Sequence, residues 1–391
     1  MRSFTFEVDR AEIDLLRQRL AATRWPEPLP GVADWSKGVP VDQARQWAAE
    51  LAAFDVEALR AELNALPQFV TEIDGESIHF VHVRSERADA NGLLLLHGWP
   101  GTVVELIDLI EPLTAPPSDV PAYHVVLPSH PGTGLSGPTR QPGWGVDRTA
   151  RAYAALMSDL GYDGYLVQGG DHGAVLAPHL GRVDAAHVRG VHVNAASLGF
   201  IPMGPVDEAT MAGMTAVERR RMAMIDAFMT DGNAYNLMQA TRPQTIGYGL
   251  EDSPIALLTW IVEKVEAWTH TPQALVDSHY RNRHLANVLL YWLTRTATST
   301  ANNVYAEYSR LFADPTAFEI SGVPTAVIAY AEDPSIRQFA EQTNRIVRWT
   351  DRDEGGHFAA LEQPASLIED LRSFTRSLPV PAAPQHEHRQ G

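Results

Sequence analysis

The chain has 391 residues, 45% of them hydrophobic, enough to bury one large core together with accessory modules. Its net charge of −17 argues against nucleic acid and against anionic membrane surfaces as partners. The lack of any cysteine excludes disulfides, thiolate chemistry and zinc-thiolate sites.

The first residues, Met1-Arg2-Ser3-Phe4-Thr5-Phe6-Glu7, carry no apolar core of a signal peptide. No run approaches the ~18 apolar residues of a membrane span, so a cytoplasmic protein without a membrane anchor is expected. Residues 1 to about 70 read as a helical module, with Ile13, Leu16, Leu20, then Trp47, Leu51, Phe54, Leu59 and Leu63 at roughly helical spacing. The cluster Pro26-Glu27-Pro28-Leu29-Pro30-Gly31 interrupts it. Two strand-like runs follow, Phe69 to Ile73 and Ile78 to Val83, joined by the turn dipeptide Asp74-Gly75.

From there strands alternate with helices. Leu93 to Leu96 is short and wholly apolar, as a strand covered on both faces must be. Tyr123 to Leu127, Tyr165 to Gln168 and Val188 to Val193 repeat that signal, and Thr149 to Leu160 is helical between them. This predicts an α/β fold with a mostly parallel sheet, whose ligand site lies beyond the carboxyl ends of the strands. Residues from about 200 to 315 then show helical stretches only (Ala216 to Met229, Ile255 to Trp268, Ala286 to Thr296), which reads as an inserted helical cap. The α/β signal returns with Ala326 to Ala331 and Ile346 to Trp349, and ends in the amphipathic stretch Pro364 to Leu378. The organisation expected is a module over 1–70, core over 71–199, cap over 200–317, core again over 318–378, and a polar, disordered tail over 379–391.

Three groups lie in the order nucleophile, acid, base. Gly169-Gly170-Asp171-His172-Gly173 follows a short apolar run and precedes a helical one. It is the small-x-nucleophile-x-small pattern of a strained strand-to-helix elbow. A carboxylate there forms an ester with an electrophilic carbon, such as that of an epoxide or alkyl halide. The base candidate is His357, in Glu354-Gly355-Gly356-His357-Phe358 between the last strand and last helix. The orienting acid is expected just after the preceding strand, where Ala331-Glu332-Asp333-Pro334 offers Asp333 first and Glu332 as the alternative. The loop His97-Gly98-Trp99-Pro100-Gly101 would supply the Trp99 amide to an oxyanion hole, with the His172 amide as second donor. Ring opening also needs a proton donor that is still protonated at neutral pH. A tyrosine meets that need, and the cap offers Tyr235 and Tyr305 among others, though composition alone cannot choose these two from the chain's eleven tyrosines. Each string alone is weak, since Asp and Gly cluster in ordinary turns and a core tyrosine is common. Their order behind successive strands gives them weight.

These strings resemble the epoxide hydrolases of the α/β-hydrolase superfamily, most closely the microsomal-type branch and its soluble fungal and bacterial members. The likeness runs over nearly the whole chain: Phe4-Thr5-Phe6, Leu20 to Trp25-Pro26 and Trp35 to Val39 at the N-terminus, then Leu95 to Gly101, Gln168 to Asp171, Gly355 to Glu362, and the cap string Thr241-Arg242-Pro243-Gln244-Thr245-Ile246-Gly247-Tyr248. It implies Asp171 as nucleophile, His357 as base, and Tyr235 and Tyr305 as ring-opening tyrosines. The chain departs from the family's pattern at Tyr330-Ala331-Glu332-Asp333, which keeps Glu332 in play beside Asp333. Thr133 stands where an aromatic residue is usual, and His172 where Trp or an aliphatic residue often follows the nucleophile.

The reaction implied is hydrolysis of a small-molecule epoxide to a vicinal diol by water, with no cofactor and no metal. The N-terminal module is expected to brace the cap, and a homodimer is one option for assembly. Two rivals use the same scaffold. A haloalkane or haloacid dehalogenase shares the triad but wants indole or amide N–H donors for its halide. A non-catalytic ligand-binding α/β-hydrolase would be expected to lose a triad member.

Overall fold

The computed structural model describes residues 1–28, 30–31, 34–313 and 320–379. The expected tail lies outside the described residues from 380 onward, as do Leu29 of the proline cluster and the expected boundary at 317/318. Among the described residues no helix is long and apolar enough to cross a membrane.

Among the described residues nine strands form one sheet: β1 (Arg2–Ser3), β2 (Gln68–Ile73), β3 (Glu76–Val83), β4 (Asn91–Leu96), β5 (Tyr123–Pro128), β6 (Tyr165–Gly170), β7 (Val188–Asn194), β8 (Ser321–Ala329) and β9 (Asn344–Asp351). Their order is β1-β2-β3-β5-β4-β6-β7-β8-β9, antiparallel from β1 to β5 and parallel from β5 to β9. The apolar run of β4 has the physical cause expected of it. Leu93 and Leu95 enter one hydrophobic cluster, Leu94 and Leu96 another on the opposite face, and all four are buried.

The N-terminal stretch is helical at Arg10–Ala21, Val41–Ala53 and Val56–Asn64, but it also contributes β1, which pairs with Phe69 and Val70 of β2. Two residues are too short to show alternation, so a sequence pattern cannot reveal such an edge strand. These helices pack on the cap helices Pro254–Trp268 and Ser278–Thr294. Arg281 pairs with Glu50 at 2.5 Å and Arg283 with Glu62 at 2.7 Å, tying the two layers across more than two hundred residues of chain.

Between β7 and β8 the chain is helical, as expected, though the bounds move. The helix anticipated from Ala286 starts at Ser278, because Arg283, His284 and Asn287 are buried polar residues that interrupt the apolar pattern. A helix over Ala297–Ala313 carries Tyr305 and was not anticipated. A π-helical turn, Phe228–Gly232, leads into the Ala234–Thr241 helix that holds Tyr235.

Candidate active site

Asp171 follows β6 and caps the helix His172–Val183 at φ 54° and ψ −117°, a region that a non-glycine residue enters only under constraint. The flanking glycines make that constraint possible. A Cβ on Gly169 would meet the Gly173 backbone at 2.4 Å, and one on Gly173 would meet the Leu96 carbonyl at 2.6 Å. The carboxylate is thereby lifted off the end of the sheet, toward the loop after β4.

That loop receives it. The Trp99 amide donates to Asp171 Oδ1 at 2.9 Å. Beneath the loop His130 Nε2 lies 2.8 Å from the His97 carbonyl, and His130 Nδ1 lies 2.6 Å from the Tyr153 hydroxyl. The His172 ring stands edge-on to His130, and burial pushes its basicity down.

The other carboxylate oxygen, Asp171 Oδ2, is 3.7 Å from His357 Nε2. Burial lowers the His357 pKa from its ordinary value, against opposing pulls from Asp171 and Asp333. The His357 amide donates to the Trp268 carbonyl at 3.0 Å, so the end of the Pro254–Trp268 helix holds the histidine loop in place. Glu362 reinforces the joint by accepting from the amides of His270 and Phe358 at 3.0 and 3.3 Å.

The two candidate acids separate clearly. Asp333 is buried. Its Oδ1 accepts from the Ser335 amide at 2.8 Å and the Ser335 hydroxyl at 2.6 Å, while Oδ2 has no partner among the described residues. Burial raises the Asp333 pKa, offset in part by Ser335 and Arg221. Glu332 faces outward instead, 3.0 Å from His270 Nδ1 and 3.3 Å from Arg220.

Tyr235 stacks on Trp99 with ring centroids 4.8 Å apart, and meets Trp268 edge-on at 5.6 Å. Its pKa is pushed well up, first by burial, then by Asp171, Tyr308 and Glu263. A phenol so placed keeps its proton for donation. Tyr305 stands apart from this group, 48% exposed on the Ala297–Ala313 helix. Tyr308, one turn further on, hydrogen-bonds Asn236 beside Tyr235.

Thus Asp171, Trp99, His357 and Tyr235 converge, with Asp333 buried near enough to act on the His357 charge but not hydrogen-bonded to it, and Glu332 and Tyr305 stand apart. Sequence reasoning missed Glu105, Trp268, Tyr308 and Lys264. Glu105 lines the same cleft as Asp171 and His357, and burial with the nearby Asp171 and Glu362 pushes its pKa up to about 8. Lys264 had a legible signal, a lone cation in register with the buried Leu257, Ile261 and Val265 of one helix.

Two family models match the chain, "Epoxide hydrolase N terminus" over residues 1–106 and "alpha/beta hydrolase fold" over residues 91–364. A Stigmatella aurantiaca protein provisionally named an epoxide hydrolase is 37% identical over 390 residues, covering 96% of this chain and 84% of its own. Juvenile hormone epoxide hydrolase 2 of Ctenocephalides felis is 31% identical, covering 96% of this chain and 85% of its own. Among solved structures, Aspergillus niger epoxide hydrolase superposes with a TM-score of 0.83 at 32% identity, covering 96% of each chain.

Proposed function

The chain belongs to the epoxide hydrolases of the α/β-hydrolase fold, and from that premise we propose that it converts an epoxide to a vicinal diol through a covalent ester on Asp171. The observation that carries this reading is the double engagement of one carboxylate. Oδ1 is held by the Trp99 amide at 2.9 Å, while Oδ2 stays open toward His357 at 3.7 Å.

Oδ2 attacks an oxirane carbon, the ring C–O bond breaks, and Tyr235 gives its proton to the leaving oxygen. The family resemblance names Tyr305 as the second tyrosine of that step, but Tyr305 is 48% exposed and stands apart, and the placement of Tyr308 beside Asn236 and Tyr235 favours Tyr308 as a second reading. His357 then takes a proton from water, which attacks the Asp171 carbonyl carbon. Asp333 Oδ2, otherwise without a partner, suits the role of orienting acid behind that ring. Oδ1 becomes the oxyanion, held by the Trp99 and His172 amides. Collapse of that intermediate breaks the ester C–O bond, His357 gives its proton to the departing diol oxygen, and the acid proton left on Asp171 returns to Tyr235, so one water is consumed per turnover.

A single turnover with excess enzyme, styrene oxide and ¹⁸O-water tests this route by mass spectrometry of diol and protein. Label in the Asp171 peptide with an unlabelled first-turnover diol supports the ester. Label in the diol alone means direct attack by water and removes the role given to Asp171. Halide release from a haloalkane, with no diol from any epoxide, would instead favour the dehalogenase rival.

A further inference from the structure

Ester formation moves a negative charge. It leaves Asp171, where the Trp99 amide supports it, and arrives on Tyr235 once the O–H bond breaks and the proton joins the ring oxygen. That destination is hostile to an anion, since burial, Asp171, Tyr308 and Glu263 all disfavour a phenolate there. A counter-charge is in place. Lys264 is only 4% exposed, and its ammonium lies over the Tyr235 ring, 4.4 Å from the centroid. It is paired with Glu263, and its helix is otherwise apolar on that side, with Leu257, Ile261 and Val265 buried beside it. Burying an ammonium is costly, and an apolar side chain would serve packing at least as well.

We propose that Lys264 is a positioning residue for ring opening: its ammonium fixes the Tyr235 ring against Trp99 and stabilises the tyrosinate formed as the proton leaves. The attraction between a cation and an aromatic face grows as the ring gains charge, so it is stronger in the transition state than in the ground state. The effect therefore falls on the alkylation step and leaves hydrolysis of the ester unchanged.

This rests on the role given to Tyr235, and a double-mutant cycle separates the two claims. Rapid-quench mass spectrometry follows the Asp171 ester in single turnovers with styrene oxide, or with the first epoxide in a panel that the parent opens. Lys264→Met is expected to slow ester formation by about tenfold, with Lys264→Arg restoring most of the rate. In a Tyr235→Phe background, itself slowed, Lys264→Met should change nothing further. A parent-like rate in Lys264→Met, or the same slowing with and without the Tyr235 hydroxyl, overturns the proposal. A parent-like rate in Tyr235→Phe removes the Tyr235 role first, and the Lys264 proposal with it. Lys264→Gln, a second neutral replacement, is scored identically where the Met variant does not fold.

Discussion

His357 Nε2 stands 3.7 Å from Asp171 Oδ2, near enough to serve the same reacting centre and too far to hydrogen-bond it. The carboxylate oxygen is left free to attack, and the imidazole is left free to address a water. The two residues should therefore fail at different steps. Asp171→Asn is expected to abolish both ester formation and turnover. His357→Gln should still form the ester but lose about 10²- to 10⁴-fold in turnover, leaving a stable adduct on the protein. Intact-protein mass spectra after mixing with epoxide distinguish the cases, and an adduct that clears at the parent rate in His357→Gln would remove His357 as the base.

The acid can be assigned by a matched pair of substitutions. Asp333 is buried with one oxygen fixed by Ser335 and the other unpartnered, whereas Glu332 is engaged with His270 and Arg220. Asp333→Asn should slow ester hydrolysis by about 10²-fold or more, and Glu332→Gln should leave kcat within about threefold of the parent, as expected for an outward-facing ion pair. The reverse order would mean that the loop after β8 shifts on substrate binding.

Among the tyrosines, Tyr235→Phe should slow ester formation by about 10²-fold, since its hydroxyl is buried beside Asp171. The comparison of interest is Tyr305→Phe against Tyr308→Phe, measured in the same burst assay. Tyr305 is half exposed and Tyr308 lies beside Asn236 and Tyr235. The one whose loss costs about tenfold or more in alkylation is the second donor, and a parent-like rate in both variants would leave Tyr235 to act alone.

The pH profile has a defined sign. A general base works when neutral, and burial lowers the His357 pKa from its ordinary value near 6.5. Hydrolysis of the ester should therefore stay level as pH falls to 6.5 and decline only below it. Esterification also removes the Asp171 charge that favours the imidazolium, which moves the limb further toward acid. Single-turnover hydrolysis rates from pH 5 to 8 check this, and a midpoint above 6.5 would contradict it.

The parts legible in the sequence are those fixed by local rules. Asp171 was visible because the elbow needs small residues on both sides, and Gly169 and Gly173 approach each other so closely that no Cβ fits. The strand β4 was visible because all four of its leucines are buried, two on each face of the sheet. What stayed hidden depends on long-range pairing. The start of the Ser278–Thr294 helix was obscured by Arg283, which is buried only because Glu62 and Asp108 come to it from distant segments. Strand β1 exists through its pairing with β2, not through any pattern of its own. Asp333 could not be told from Glu332, since both are carboxylates after the same strand and only the fold turns one inward.

Stability should fall on mild acidification, for a reason visible at His284. The ring is 1% exposed, lies 4.6 Å from both Tyr280 and Phe358, and neither nitrogen has a hydrogen-bond partner among the described residues. Burial pushes its pKa down to about 3, while in the unfolded chain it titrates near 6.5. Above 6.5 neither state binds the proton and the fold has its full stability. As pH falls from 6.5 toward 3 the unfolded chain takes up a proton that the folded one refuses, so stability is lost across that window. His79 and His97, lowered to about 3 and about 4 by burial, act in the same direction. His284→Leu removes one contribution and an unpaired polar ring at once. Its Tm should therefore fall less than the parent's between pH 7 and pH 5, with His79, His97 and the other histidines whose pKa burial lowers, His82 and His130 among them, contributing to the slope that remains. Differential scanning fluorimetry of the two proteins at matched ionic strength measures the difference. Parallel Tm curves would mean that the folded state protonates His284 readily, through water reaching a ring that the structure encloses.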